Sequence, residues 1–331
     1  MRRVQFTGKS TFIISIPKEW AKNLGISKGS KVFIDLMPDG SLRVRPEPRF
    51  TEVKLVKVID LRKGSSMATA AREFIAAYMA GYDVFKILYD EESSRTLKEL
   101  RAFVEYRVAN ILVAEENESY VSYKVIGAPR PLSVTDTLSW LKRLITVVFQ
   151  EIVRGARQGD LEVLNAVRER DNVVDKAFLV IVRNLTSTLM GANTIDSVGL
   201  HSHAEALHYY RAFKTVERIG DHLNIIAWNT ARLVEAKMDT SAITELLEEA
   251  AEKFTKVIDG LMRVDADAAR EVALDIESFR ERLRRVELPQ ESLEYHDIML
   301  SLGRVVDYTL DLAEITFDIA STRSVTKVLY E

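Results

Sequence analysis

Four acidic residues stand out by their spacing. Glu217 and Asp221 are four apart, and Asp171 and Asp175 repeat that interval upstream. On a helix, residues four apart share one face, with Cβ atoms roughly 5–6 Å from each other. Two such pairs on packed antiparallel helices would bring four carboxylates together. Like charges crowded on a partly buried surface require a neutraliser, and a hard or borderline cation with oxygen ligands is the simplest one: Mg²⁺, Mn²⁺, Fe, Zn²⁺ or Ca²⁺. The same spacing also occurs on solvated helix faces, where Arg168, Arg170 and Arg218 would serve as partners. Spacing alone leaves both readings open.

Other reactive groups form weaker patterns. His201, His203, Glu205 and His208 include a Glu-x-x-His element of the kind used by di-iron carboxylate bundles, but those need it on two helices and one copy exists here. Near a helix start such residues also serve as surface or capping groups. The chain has no cysteine, so thiolate metal sites, disulfides and Cys nucleophiles are excluded. No Gly-rich phosphate loop and no Ser-His-Asp arrangement stands out. None of these patterns amounts to a catalytic constellation.

Charge is unevenly spread. Residues 1–48 hold nine Lys or Arg against four Asp or Glu, a net of +5, which leaves −8 on the rest of a chain totalling −3. A basic head suits a polyanion, and an acidic body suits cations. Arg2, Arg3, Lys9 and Lys18 are the expected contacts to such a polyanion; Lys22 and Lys28 fit equally well as solvated lysines. No apolar run reaches the length of a membrane span, no signal-peptide core opens the chain, and a cytoplasmic location is expected.

Three regions must position these groups, and the chain reads as a multi-domain α+β protein. In residues 1–48, Ser10–Ile16 reads as a strand, Pro17 opens a helix closed by Gly25, and two strands flank the Pro38-Asp39-Gly40 turn. A piece this small has too little core to stand alone and is expected to dimerise. Residues 51–128 read βαβαββ, a small α/β domain with no evident chemistry. Residues 127–131 read as a linker. From 133 to 331 apolar residues recur at helical spacing, as in Leu138, Leu141, Ile145, Val148 and Ile152. An internal repeat runs through this part: Gly155 and Asp160 match Gly260 and Asp265, and Glu217–His222 matches Gly303–Tyr308. Two three-helix bundles in tandem follow. Trp140, Phe149, Phe178, Tyr209, Tyr210 and Trp228 are expected in the core.

The segment Glu217-Arg218-Ile219-Gly220-Asp221-His222 with Ala227, and Arg304-Val305-Val306-Asp307-Tyr308 with Asp311, Ala313 and Glu314, resemble the signature of the PhoU family; Asp171–Asp175 after Asp160 resembles that family's other acidic helix. The resemblance covers about 135–325. It implies a regulator of phosphate uptake through a phosphate ABC transporter, with metal ions, including iron clusters, held at E/D-x-x-x-D motifs. The second repeat departs from the pattern: Gly303 replaces Glu217, and Ile276 and Arg280 replace Asp171 and Asp175. Metal binding is therefore carried over only to Asp171, Asp175, Glu217 and Asp221, with Fe, Zn, Mg or Mn as candidates, and Asp307 with Asp311 is left structural or partner-facing. Asn224 sits one residue earlier than the family's asparagine.

Residues 1–47, with Arg3-Val4-Gln5, Ser10–Ile16, Pro17-Lys18-Glu19-Trp20 and the Lys28-Gly29-Ser30 turn, resemble the SpoVT/AbrB domain, a swapped-hairpin dimer that binds DNA. The whole chain is similar to an archaeal PhoU-like subgroup carrying this fusion, which implies a cytoplasmic homodimer. Two alternatives use the same residues: a carboxylate-bridged metalloenzyme, and an antitoxin-like DNA-binding protein.

Overall fold

The computed structural model describes residues 2–8, 11–36, 40–46, 55–126, 131–286 and 292–330. The chain divides into two compact units, one reaching to residue 53 and a larger one spanning 54–327.

The first unit pairs β1 (Gln5–Thr7) antiparallel with β2 (Thr11–Ile13), adds helix α1 (Lys18–Asn23), and closes with the hairpin of β3 (Val32–Leu36) and β4 (Leu42–Pro46). The strand expected over Ser10–Ile16 is shorter, because Ile14–Ile16 run up to Pro17, which offers no N–H and holds the preceding residue extended outside a ladder. Strand β1 has no counterpart in the sequence expectation. No described residue of this unit is buried, and Phe12, Trp20 and Ile34 are 72%, 64% and 62% exposed.

The second unit begins with β5 (Val56–Asp60), α2 (Met67–Met79), β6 (Val84–Leu88), α3 (Ser94–Arg107), β7 (Ile111–Glu116) and β8 (Tyr120–Val125). The sheet order is β5-β6-β8-β7, with β5 and β6 parallel and the other pairs antiparallel. Ser66 caps α2 by accepting from the Thr69 N–H at 3.2 Å. Phe74 of α2 stacks on Phe85 at 4.1 Å between ring centroids, which fixes helix against sheet. The βαβαββ reading holds; of the expected linker only residue 131 lies among the described residues.

The remainder is helical: α4 (Val134–Gln158), α5 (Leu161–Leu189), α6 (Glu205–Glu235), α7 (Ser241–Arg263), α8 (Ala266–Leu283) and α9 (Leu293–Tyr330). The repeat is visible in its caps. Asp160 and Asp265 each accept a backbone N–H three residues on, at 3.1 and 3.0 Å, opening α5 and α8. Gly159 and Val264 hold the same left-handed place one residue earlier, at φ 68° and 53°. Helix α4 packs along α5, α6 and α7, so the two bundles share one core. Leu138, Leu141, Ile145, Val148 and Ile152 are buried as their spacing predicts, and so are Phe149, Phe178 and Tyr209. Trp140, Tyr210 and Trp228 are not: they sit on outward helix faces, Trp228 60% exposed, because aromatic type carries no information on which face of a helix is covered.

The α/β region and the helices, read from sequence as domains 51–128 and 133–331, share this one unit over residues 54–327. Arg183 of α5 ties them together, donating to the carbonyls of Tyr78 and Tyr82 at 2.9 and 2.6 Å and to Asp83 at 2.8 Å.

Candidate metal centre

Helices α5 and α6 pack side by side, and the four-residue spacing puts Asp171 and Asp175 on the α5 face turned to Asp221 on α6. Asp171, Asp175 and Asp221 each offer an oxygen, and these oxygens lie within 4.8 Å of one another. That span is what two oxygens on opposite sides of one divalent cation require. Asp171 accepts weakly from Asn224 Nδ2 at 3.4 Å through Oδ2, while its Oδ1 is buried with no hydrogen-bond partner. An orphaned buried carboxylate oxygen costs free energy unless something fills its coordination. Gly220 keeps the approach open, since a Cβ there would lie 3.4 Å from Asp171 Oδ1. Three hard oxygen donors with one unmet oxygen fit a divalent cation or iron.

Electrostatics agree with this crowding. Burial pushes the Asp171 carboxyl above the usual carboxylate range, opposed by Arg107 and reinforced by Glu217. Asp221 is the most exposed of the three, yet it too is pushed up, by partial burial first and by the Asp171 charge second. Carboxylates pushed up together are groups waiting for positive charge.

The expected fourth carboxylate stands apart. Glu217 is held by Lys214, three residues earlier, at 2.5 and 2.6 Å, although burial and Asp221 also push it up. Arg168, Arg170 and Arg218 do not neutralise the group by direct ion pairs: Arg170 reaches across to Glu151, at 2.5 and 2.6 Å, and Arg218 lies over the Tyr308 ring at 5.7 Å. The neutraliser comes from elsewhere. Arg107, the last residue of α3, forms an ion pair with Asp175, and the neighbouring Tyr106 carbonyl accepts from Asn172 at 3.2 Å. Nothing in the sequence pattern around 171–221 points to these partners.

The histidine constellation resolves into helix packing. Glu205 is fully buried and pairs with Arg323 of α9 at 3.1 Å, while His208 Nε2 meets Thr322 Oγ1 at 3.1 Å. Neither joins a carboxylate group of the kind formed by Asp171, Asp175 and Asp221 among the described residues. In the second repeat Arg280 pairs with Asp307 at 3.0 Å, at the two places where the first repeat has Asp175 and Asp221. Of the expected DNA contacts, Arg2, Arg3 and Lys18 are exposed and Lys9 lies outside the described residues.

Comparison with known proteins supplies a family context. The PhoU domain matches residues 138–230, the stretch that contains all three clustered aspartates. The MazE family, described as antidote-toxin recognition and bacterial antitoxin, matches residues 5–52. The chain thus carries a MazE/AbrB-type N-terminal segment and a PhoU domain. Among solved structures, the phosphate transport system regulatory protein PhoU from Streptococcus pneumoniae aligns with 57% of this chain and 94% of that chain, at 15% identity and a TM-score of 0.48. PhoU from Pseudomonas aeruginosa aligns with 57% and 96%, at 19% identity and a TM-score of 0.47. No curated protein matches.

Proposed function

We propose that this chain, with its PhoU domain and MazE/AbrB-type head, is a cytoplasmic regulator of phosphate uptake that binds DNA as a dimer and holds a metal ion at Asp171, Asp175 and Asp221. The observation that carries the reading is the meeting of these three aspartates around a partnerless Asp171 Oδ1, inside the segment that matches the PhoU domain. A bound Mg²⁺, Mn²⁺, Zn²⁺ or iron ion would supply the positive charge that the crowded carboxylates lack. The chain's own residues do the rest. Asn224 orients Asp171, Lys214 keeps Glu217 aside, and Arg107 brings one fixed positive charge from the α/β region to Asp175. The body so described is the part that would meet a phosphate ABC transporter.

Dimerisation of the head rests on its exposure. Phe6 and Phe12 pack edge to face at 5.1 Å yet remain 59% and 72% exposed, and Trp20 and Ile34 of the same unit are exposed as well. An apolar surface of this kind without a core is what a second copy of the same module would cover. Arg2, Arg3, Lys9 and Lys18 are the proposed DNA contacts, and residues 1–48, 51–128 and 133–331 the proposed working divisions.

Elemental analysis and calorimetric titration with Mn²⁺ and Zn²⁺ test the metal half. Asp171→Ala with Asp221→Ala is expected to weaken binding by about a hundredfold, with helix content by circular dichroism unchanged. Equal binding by the double variant refutes the site. Gel shifts of the gene's own upstream DNA at rising salt test the other half. Arg3→Ala with Lys18→Ala is expected to flatten the salt slope by about two charges.

A second reading has one observation in its favour, the antitoxin description of the matched N-terminal family. It predicts a tight complex with a small toxin, and an inactive toxin on co-expression. The long helical body, in place of the short disordered tail of antitoxins, is why regulation of phosphate uptake is preferred.

A further inference from the structure

Where the second repeat departs from the first, it opens a cleft. Helices α8 and α9 flank an open cleft of about 450 Å³ lined by Arg280, Leu283, Arg284, His296, Met299, Leu300, Gly303, Arg304 and Asp307. Its residues follow helical spacing: 280 and 284 share a face of α8, and 296, 300, 303 and 307 share a face of α9. Gly303 stands where the first repeat has Glu217, and a Cβ there would meet nothing within 4 Å, so its lack of a side chain leaves the space open.

The charge of this cleft is lopsided. Among the described residues that line it, three guanidiniums face one carboxylate, and that carboxylate, Asp307, is already paired with Arg280 at 3.0 Å. Arg284 and Arg304 form no ion pair among the described residues, and His296 adds an imidazole beside them. The carbonyl end of α8 points partial negative charge here, about half an elementary charge, which two uncompensated guanidiniums outweigh. Guanidiniums present planar forks of N–H donors that match phosphate oxygens in pairs. Leu283, Met299 and Leu300 add an apolar part to the lining. The volume lies within the range of small-molecule sites, about 300–1,000 Å³.

We propose that the cleft between α8 and α9 is a binding site for a phosphate monoester or inorganic phosphate, held by Arg284 and Arg304 with Arg280 and His296 in support. This site is separate from the three aspartates and stands whether or not they hold a metal. The ligand's phosphate faces the arginines, and any organic body lies on Leu283, Met299 and Leu300. The apolar wall favours an organic phosphate of nucleotide size over the bare ion.

The test is calorimetric titration of the full chain with inorganic phosphate and with adenosine 5′-monophosphate, in the presence of a chelator so that no metal at the first repeat can recruit phosphate. Saturable binding in the micromolar to low millimolar range is expected, with Arg284→Ala plus Arg304→Ala weakening it by about a hundredfold. Both side chains are exposed and unpaired, so this variant is expected to fold. Gly303→Leu fills the cleft without changing charge and is expected to abolish binding of the nucleotide. Tighter binding of the nucleotide supports the organic source; equal or tighter binding of inorganic phosphate supports the free ion. No saturable binding of either probe overturns the proposal, as does binding that is unchanged in the double arginine variant. Nucleotide binding undiminished in Gly303→Leu also overturns it, by moving the ligand out of the cleft.

Discussion

The two helical repeats have the same framework and opposite sites. Both place an aspartate cap after a glycine-containing helix end, and both run a long third helix past the second. In the first repeat the facing positions hold Asp171, Asp175 and Asp221, acidic and short of positive charge. In the second, Ile276 is fully buried, Arg280 pairs with Asp307, and Gly303 leaves a basic cleft. At the matched places Asp175 takes its ion pair from Arg107 in the α/β region, whereas Arg280 makes one with Asp307 inside its own repeat. A duplicated scaffold can thus keep its packing while one copy gathers carboxylates and the other gathers guanidiniums.

The sharpest way to break this comparison is to exchange side chains at the matched places. Ile276→Asp is expected to destabilise the protein by about 4 kcal/mol or more in urea melts, because an unpaired carboxyl would replace a fully buried apolar side chain. Asp171→Leu is expected to act in the opposite sense, stabilising the chelated protein by about 1 kcal/mol, since it removes an unsatisfied buried oxygen from a like-charged group. The same variant is expected to lose any gain in melting temperature from added Mn²⁺. A chelated Asp171→Leu protein less stable than the parent would mean that the aspartate is satisfied without a metal.

A smaller effect separates the ion pairs of the two second helices. Arg183 has a side chain only 13% exposed and three partners in the α/β region, so Arg183→Met is expected to cost about 2–3 kcal/mol. Arg280 and Asp307 have side chains 35% and 39% exposed, and Arg280→Met is expected to cost less than about 1 kcal/mol in the same melts. Similar costs for both would show that the second repeat is as tightly tied as the first.

The smallest contrast lies in the glycines that end the first helix of each repeat. A Cβ on Gly155 would lie 2.7 Å from Leu164 Cγ, whereas one on Gly260 would find its nearest neighbour at 3.7 Å. Gly155→Ala is therefore expected to lose about 1 kcal/mol net, the clash outweighing the helix propensity of alanine. Gly260→Ala is expected to gain up to about 1 kcal/mol. Thermal melts that rank the two the other way round would remove the packing argument.

Much of this architecture is legible in the chain because helical periodicity and cap residues act locally. Asp160, Asp265 and the apolar ladder from Leu138 to Ile152 mark the bundles directly. The i,i+4 interval likewise brings Asp171 and Asp175 to one face, and packing of α5 on α6 adds Asp221. What the sequence hides is which competing partner wins. Glu217 shares the interval with Asp221, but Lys214, three residues earlier on its own helix, reaches it first. Arg107 was invisible, since it belongs to a region that showed no chemistry and meets Asp175 only through tertiary packing. Gly303 read as the loss of a ligand; only the packing of α8 against α9 shows that it opens a cavity. The exposure of Trp228 and Tyr210 was hidden for a related reason, because the face of a helix that is covered depends on neighbours the local pattern does not name.

The bonds from Arg183 to Tyr78, Tyr82 and Asp83 bear on how this protein can be dissected. A fragment beginning at residue 133 would strip the guanidinium of all three acceptors and leave the flank of α5 wet where α2 now covers it. A fragment beginning near residue 54 keeps both. Anyone wishing to study the helical body free of its basic head should cut on the N-terminal side of β5, and treat the α/β segment as part of the body's own wall.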